Sequence, residues 1–353
     1  MWQAERASEL ERKTLALASR RPLRFTFHHT IGEKMPYFPE QLESELASLN
    51  SDEFQFVPNS QGLAVCDFVI ISAHGLNLKD AIWSARQSAP NALFVLWLWD
   101  NHLAYVENLQ TALAVDFVFV SHLYKSVNLY LANPVSVLAA HVPACCAQWT
   151  RAEAAQLFAS KGNLPRSSKL LANYVDYEFS PRATVLARLK KEAPEADVMI
   201  MPQLDRSRYF GKSRADRFKE WLGYKTCLVL PVDQDLSTRV FDALLAGLVI
   251  LAPTSIADFD SVIKPETQAA LGVIRLPDVE VKTIRQSARQ AVRAFDAAGE
   301  RGALDRHRYV LENHMLVHRI AMILRTFKHI VEGKLVPTFA SGTTSMGLHL
   351  VAR

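Results

Sequence analysis

Strand-like apolar runs alternate with helical stretches along all 353 residues. A polar segment, "RAEAAQLFASKGNLPRSSK", breaks that alternation near its middle. The length also exceeds that of a usual single domain. These observations predict an α/β protein of two Rossmann-like domains facing across a cleft. The domains are expected at residues 1–150 and 165–330, with 331–353 as a tail of low pattern.

The elements follow in order. "MWQAERASELERKTLALASRRP" is a charged, helix-prone lead-in without the apolar core of a secretory leader. "LRFTFHH" reads as a first strand and "PEQLESELASL" as a helix after Pro39. "CDFVIISAHG", "NALFVLWLWDNH", "VDFVFVSH" and "VSVLAAHVP" continue the strand series. Most of these runs end in His or Asp: His28 and His29, His74, Asp100 and His102, His122, His141. In an open α/β sheet, ligands bind beyond the carboxyl ends of strands, where these residues fall. The second series is "KLLANYVDYEF", "ADVMIMPQL", "KTCLVLPV", "LVILAP" and "LGVIRLP". Leu316, Ile320, Ile323 and Phe327 mark the apolar stripe of a final helix, which is expected to cross back to the first domain.

Composition narrows the function. Hydrophobic residues make up 49% and charged residues 22% of the chain. A net charge of +4, from 40 basic and 36 acidic residues, is too balanced for a nucleic-acid binder. It leaves room for a modest basic face toward phosphates or an anionic membrane surface. The four cysteines lack metal-site spacing, and adjacent Cys145 and Cys146 are poorly placed to pair, which favours a reduced, cytoplasmic setting. No apolar run reaches 18 residues, so no membrane span is expected.

The chemistry concentrates in "DLSTRVFDALLAGLVILAP", residues 235–253. Ser237 and Thr238 suit a helix N-terminus, Phe241, Leu244, Leu245 and Leu248 recur at helical spacing, and Gly247 stands where a helix ends. A helix N-terminus offers unpaired N–H groups and a positive dipole end to phosphate. Ser237, Thr238 and Arg239 add donors for a diphosphate. Asp242, about one turn inside, can accept from two ribose hydroxyls.

"STRVFDALLAGLVILAP" resembles the nucleotide-sugar signature of GT-B glycosyltransferases, a Ser/Thr-Arg-hydrophobic-Phe-Glu-Ala stretch followed by Ala-(Cys/Ala)-Gly and a buried strand. "YKTCLVLPVDQD" is similar to the Lys-bearing strand ahead of it. "RHRYVLENHMLVHRIAMIL" resembles the His-x-x-x-x-Arg helix of the group 1 branch near the CgeB-like proteins, and "YEFSPRATVLARLKKEAPEADVMIM" the start of their donor-binding domain. The resemblance spans roughly residues 165–330. It implies a bacterial-type glycosyltransferase that moves a sugar from a nucleotide-activated donor to a glycan, lipid-linked or protein acceptor. The donor is a substrate, and neither metal nor other cofactor is implied. Peripheral association with the inner membrane face fits the same picture.

Donor-side candidates are Ser237, Thr238, Arg239 and Asp242, with Arg182, Lys225 and Tyr174. Arg206, Arg208 and Lys212 are further diphosphate neutralisers. Two departures bear on mechanism: Asp242 replaces the family's usual Glu, and Gln234 stands where many retaining members carry another Glu. Retaining stereochemistry is therefore not implied. An inverting reaction needs a general base, for which His28, His29, Glu33 and Asp100 are the candidates. A catalytically silent GT-B scaffold and a transferase using a CMP-linked acidic sugar are the alternatives.

Overall fold

The computed structural model describes residues 2–31, 38–72, 78–124, 133, 135–162, 164–177, 179–202, 207–341 and 346–353. The chain divides into two units. The first comprises Met1–Met35, Glu40–Pro143 and Val317–Arg353, and the second Pro36–Pro39 and Ala144–Leu316.

Six strands of the first unit are β1 (Leu23–His28), β2 (Phe54–Phe56), β3 (Phe68–Ile71), β4 (Leu93–Leu98), β5 (Phe117–Val120) and β6 (Val137–His141). They lie parallel in the order β2-β1-β3-β4-β5-β6. Every residue of β3, β4 and β5 is buried. That is why these strands read as unbroken apolar runs rather than alternating ones: a parallel sheet is covered on both faces. The Leu316–Val331 helix lies against this sheet, with the Phe327 ring 4.5 Å from Phe68 and 5.2 Å from Phe117. Leu316, Ile320, Ile323 and Phe327 are all buried, as their spacing predicts.

The second unit holds β7 (Ser167–Val175), β8 (Ala196–Met201), β9 (Tyr224–Leu228), β10 (Val249–Pro253) and β11 (Ile274–Leu276). These are parallel, in the order β11-β10-β9-β7-β8. Both sheets thus share one doubly wound order, reversing direction between their first and third strands. At such a switch point the crevice beyond the carboxyl ends receives ligands.

Residues 331–353, read from sequence as a tail, instead carry β12 (Leu335–Ser341) and β13 (Met346–Ala352). The two strands pair antiparallel, and β13 adds parallel to β6. Leu348 is fully buried there. A sheet edge with open N–H and C=O groups accepts strands of modest pattern, because main-chain hydrogen bonds supply the pairing. Among the described residues, no helix is long and apolar enough to cross a membrane.

Two buried aspartates tie the amino edge of the first sheet. Asp67 accepts the Arg24 N–H at 2.8 Å and the Arg20 guanidinium at 3.0 Å. Asp116 accepts the Phe94 N–H at 2.9 Å, Arg86 at 2.9 and 3.0 Å, and Arg6 at 2.7 Å. Burial alone raises the Asp116 pKa, but Arg86 and Arg6 hold it below the usual carboxylate range. Its stabilisation is therefore present above about pH 4 and lost as pH falls through the depressed value. Asp116→Ala, which leaves two guanidiniums and an N–H without their acceptor, is expected to cost about 3–5 kcal/mol in urea unfolding at neutral pH. A change within 1 kcal/mol would show that the cluster is held by packing rather than by charge.

Candidate functional site

Ser237 takes the extended backbone of an N-cap, with φ −74° and ψ 158°, and the helix runs Thr238–Leu245. The Ser237 hydroxyl makes no capping bond. The helix stops at Gly247, whose φ of +79° places it in the left-handed region. There the Leu248 N–H reaches the Ala243 carbonyl at 3.0 Å and the Gly247 N–H reaches Leu244 at 2.9 Å, closing a Schellman turn. A Cβ at position 247 would also lie 2.9 Å from the Ala303 carbonyl oxygen. Only glycine satisfies both constraints.

Beyond the carboxyl ends of β7 and β8 lies a cavity of about 120 Å³. Asn173, Val175 and Met201 contribute from the strand ends, and Thr238, Arg239 and Asp242 from the helix. Gln148, Tyr209, Phe210 and Trp221 complete the wall. Apolar rings around a few convergent polar groups are the usual composition of a small-molecule site.

Asp242 is 4% exposed. Its Oδ2 accepts from Gln148 Nε2 at 2.9 Å, while buried Oδ1 has no hydrogen-bond partner. Burial drives the carboxyl pKa up to about 6, against the lowering influence of the Cys146 thiol, Gln148, Arg239 and Arg217. A buried carboxylate with open lone pairs is costly unless something supplies donors. The Arg239 guanidinium hydrogen-bonds Asn173 and lies 4.0 Å from the Tyr174 ring and 5.4 Å from Trp221. Arg217, 2% exposed, spans Tyr209 and Phe210, with Nε and Nη2 unpartnered. Two guanidiniums and one carboxylate therefore give this region an excess positive charge.

Other donor-side candidates have partners within the framework. Tyr174 is buried, donating to the Leu228 carbonyl at 2.6 Å and accepting from the Leu230 N–H at 2.7 Å, so its hydroxyl is spent joining β7 to the chain after β9. Arg182 donates to the carbonyls of Val175 at 3.0 Å and Leu230 at 3.4 Å and stacks on Tyr174 and Tyr177. Lys225 lies near the amino end of β9, away from the ligand edge, and pairs with Asp296 at 2.8 Å. Its place at the start of the strand, not its charge, decides this. Lys212 pairs with Glu220 at 2.6 Å, Arg208 is exposed, and Arg206 lies outside the described residues.

In the first unit, His28 and His29 stand at the carboxyl end of β1, beside the switch point. Burial holds the His28 pKa below its ordinary value, partly opposed by Glu43, and its Nε2 is buried without a partner. His29 Nδ1 lies 3.0 Å from the Ser72 hydroxyl after β3, bridging the β1–β3 crevice. Asp100 is half-buried beyond β4, and its backbone carbonyl accepts from Asn108 at 2.9 Å. His102 and His122 meet edge to face at 4.4 Å, and His141 Nε2 contacts the Ser121 carbonyl at 3.0 Å. Glu33 and His74 lie outside the described residues.

Gln148, Asn173, Tyr209, Arg217 and Trp221 carry no sequence signal as site residues. Gln148 follows the cysteine pair in an apolar run, and "DRSRYFGKSR" reads as a solvated loop although Tyr209 within it is buried. They join Asp242 only through the packing of separate segments. Gln148 is set by its neighbour Cys146, whose N–H donates to the His314 carbonyl at 2.9 Å and which bridges to Met315.

No protein-family model and no curated protein sequence matches the chain. Among solved structures, it is similar to a mutant of the O-GlcNAc transferase of Thermobaculum terrenum, with 12% identity and a TM-score of 0.50, over 89% of this chain and 69% of that one. The N-terminal domain of Candida albicans trehalose-6-phosphate phosphatase is similar at 9% identity and a TM-score of 0.44, over 74% and 72%. The pneumococcal O-GlcNAc transferase GtfA, in complex with UDP and GlcNAc, is similar at 11% identity and 0.44, over 82% and 60%. With its two Rossmann-like units, the chain has the fold of the GT-B glycosyltransferases.

Proposed function

We propose that the protein is a glycosyltransferase that uses a nucleotide-activated sugar, without a metal or other cofactor, near the CgeB-like branch of group 1. The observation that carries the reading is Asp242: a buried carboxylate with an open oxygen, lining a cavity one turn behind a helix N-terminus that also bears Arg239. The GT-B fold supports the same reaction class. In this reading Asp242 accepts from the ribose hydroxyls, and the helix N-terminus with Thr238 and Arg239 receives the diphosphate. As the sugar–diphosphate bond breaks, the leaving oxygen's charge falls on these donors. The acceptor hydroxyl forms the new bond to the sugar carbon and gives its proton to a base assigned to the first unit. His28 suits that role because burial keeps its imidazole neutral near pH 7. His29, Glu33 and Asp100 are the competing bases. A cytoplasmic setting, with peripheral contact to an anionic membrane face, belongs to the same reading and fits four buried cysteines that form no disulfide.

A thermal-shift series with UDP, GDP, CMP and dTDP tests the donor. A nucleotide at ten times its dissociation constant is expected to stabilise the fold by about 1.4 kcal/mol. Arg239→Ala should weaken the best nucleotide diphosphate by roughly 1–3 kcal/mol, the scale for hydrogen bonds to charged groups. Unchanged affinity in a folded variant would return Arg239 to packing alone. Nucleotide binding without donor hydrolysis or transfer would mark a silent scaffold.

Asp242 gives a sharper test because function and stability should separate. Its native pKa of about 6 exceeds the ordinary carboxylate value. The native state therefore binds the proton more tightly than the unfolded chain, and stability falls as pH rises from about 4 to about 6. Asp242→Asn keeps an acceptor for Gln148 and removes the buried charge. It should melt higher than wild type at pH 7.5, by roughly 1–3 kcal/mol, flatten that slope and lose nucleotide affinity. A variant that melts lower, with nucleotide affinity intact, would make Asp242 a structural anchor.

A further inference from the structure

The geometry points to Gln148 as the positioning residue that keeps Asp242 ionised and aimed, so that the cavity takes a ribonucleotide rather than a 2′-deoxynucleotide. The ligand half of this inference rests on the nucleotide-sugar reading; the Gln148–Asp242 half stands on the structure of the second unit alone.

Gln148 is 3% exposed and is anchored at both polar ends. Its Nε2 lies 2.9 Å from Asp242 Oδ2 and 3.3 Å from the Tyr209 hydroxyl, and its Oε1 lies 3.4 Å from that same hydroxyl. That hydroxyl in turn accepts from Trp221 Nε1 at 3.2 Å. Indole N–H can only donate, and an ionised carboxylate can only accept. Gln148 Nε2 therefore donates to Asp242, while the Tyr209 hydroxyl, accepting from Trp221, stands within reach of both ends of the amide. The bond to the carboxylate holds the amide with its nitrogen toward Asp242, and neighbouring bonds polarise one another. A protonated Asp242 would favour the reversed amide, so the ionisation of one group and the orientation of the other are coupled.

Gln148 shares the task of holding the Asp242 pKa down with the Cys146 thiol, whose influence is the larger of the two, and it alone contributes an amide N–H. Arg239 comes from its own helix and is occupied with Asn173 and the rings of Tyr174 and Trp221. Arg217 comes from the Arg214–Leu222 helix, where it donates to the Lys212 carbonyl at 3.0 Å. Cys146, Cys227 and Tyr209 are weak acids whose pKa values are all raised, burial being the largest cause, and Asp242's own charge raises each further. Gln148 supplies the neutral N–H bond that fixes Oδ2. With Oδ2 fixed, Oδ1 is left with its lone pairs uncommitted at the cavity wall. A vicinal diol offers two donors to such a carboxylate, whereas a 2′-deoxyribose offers one.

The test follows the Asp242 carboxyl by ¹³C NMR across pH 4–9 in wild type, Gln148→Met and Gln148→Glu, with Asp242→Asn assigning the signal. UDP and 2′-deoxy-UDP binding are measured by calorimetry on the same proteins. The wild-type midpoint is expected near pH 6. Gln148→Met should move it upward by about one unit, and Gln148→Glu, which sets a second carboxyl beside the first, further still. UDP affinity should then fall by about twofold at pH 7 in the Met variant, where its carboxyl is half protonated, approach a roughly tenfold loss near pH 5, and recover at pH 8.5. The wild-type preference for UDP over 2′-deoxy-UDP should shrink as Asp242 protonates. Tyr209→Phe, which leaves Gln148 in place but loosens its amide, should give a smaller upward shift. Equal midpoints in wild type and the two Gln148 variants would overturn the positioning role. Shifted midpoints with no nucleotide bound by wild type would uphold Gln148 as the group that sets Asp242 and sink the nucleotide reading instead.

Discussion

The carbonyl groups that end the Thr238–Leu245 helix are held from outside the helix. Arg306 Nε donates to the Gly247 carbonyl at 2.9 Å, and Arg306 Nη1 to Leu271 at 3.2 Å. His307 Nδ1 meets the Leu245 carbonyl at 2.6 Å while its ring stacks on Phe158 at 4.0 Å. Cationic and imidazole donors at a helix C-terminus complement its negative dipole end. Together with the close approach of Gly247 to Ala303, they leave the helix little freedom to slide along its axis. Arg239 and Asp242 inherit that rigidity, so two polar groups keep one spacing at the end of the sheet. A binding site on a helix so anchored is more exact than one carried by a loop.

The same unit divides its cations between framework and cavity. Arg182 donates to two backbone carbonyls, and Lys225 pairs with Asp296. Arg239 lies against aromatic faces with one side-chain acceptor, Asn173. Aromatic faces attract a guanidinium through the ring quadrupole yet leave its N–H edge free to meet an anion. Tyr174, packed between Arg182 and Arg239, thereby supports the cation it does not hydrogen-bond. The expense of the arrangement lies at Asp242, which is kept ionised at neutral pH in a buried place. Stability given up at one carboxylate is a common mark of a site shaped by binding rather than by folding.

The first sheet shows a comparable division along its strands. Asp67 and Asp116 stand just ahead of β3 and β5 and close hydrogen bonds with the amino ends of neighbouring strands. Imidazoles and Asp100 occupy the opposite, carboxyl edge. Acidic groups paired with arginine stabilise the amino edge and are consumed by it. The carboxyl edge carries His28, whose Nε2 is buried without a partner and whose pKa burial lowers. One sheet thus keeps its arginine-paired aspartates and its imidazoles apart by the length of a strand.

The sequence by itself determined the strand series, both parallel sheets and the helix that follows β9. Continuous apolar runs such as "LFVLWL" and "LVILAP" require burial on both faces, and Gly247 fits only a helix end with positive φ. Thr238, Arg239 and Asp242 share a cavity wall because they lie within two turns of one helix, where local spacing decides who shares a place. Lys225 and Tyr174 carried the right chemistry, but their position along and within the sheet directed them to other partners. Residues 335–352 had no strong strand pattern, because an open sheet edge supplies their order through the backbone. Gln148 could be assigned to Asp242 only in three dimensions. The two are 94 residues apart in sequence, and a single hydrogen bond between separate segments leaves no periodicity to read. Local physics wrote the elements and the helix that carries the charge; tertiary packing alone decided which buried amide would hold that charge in place.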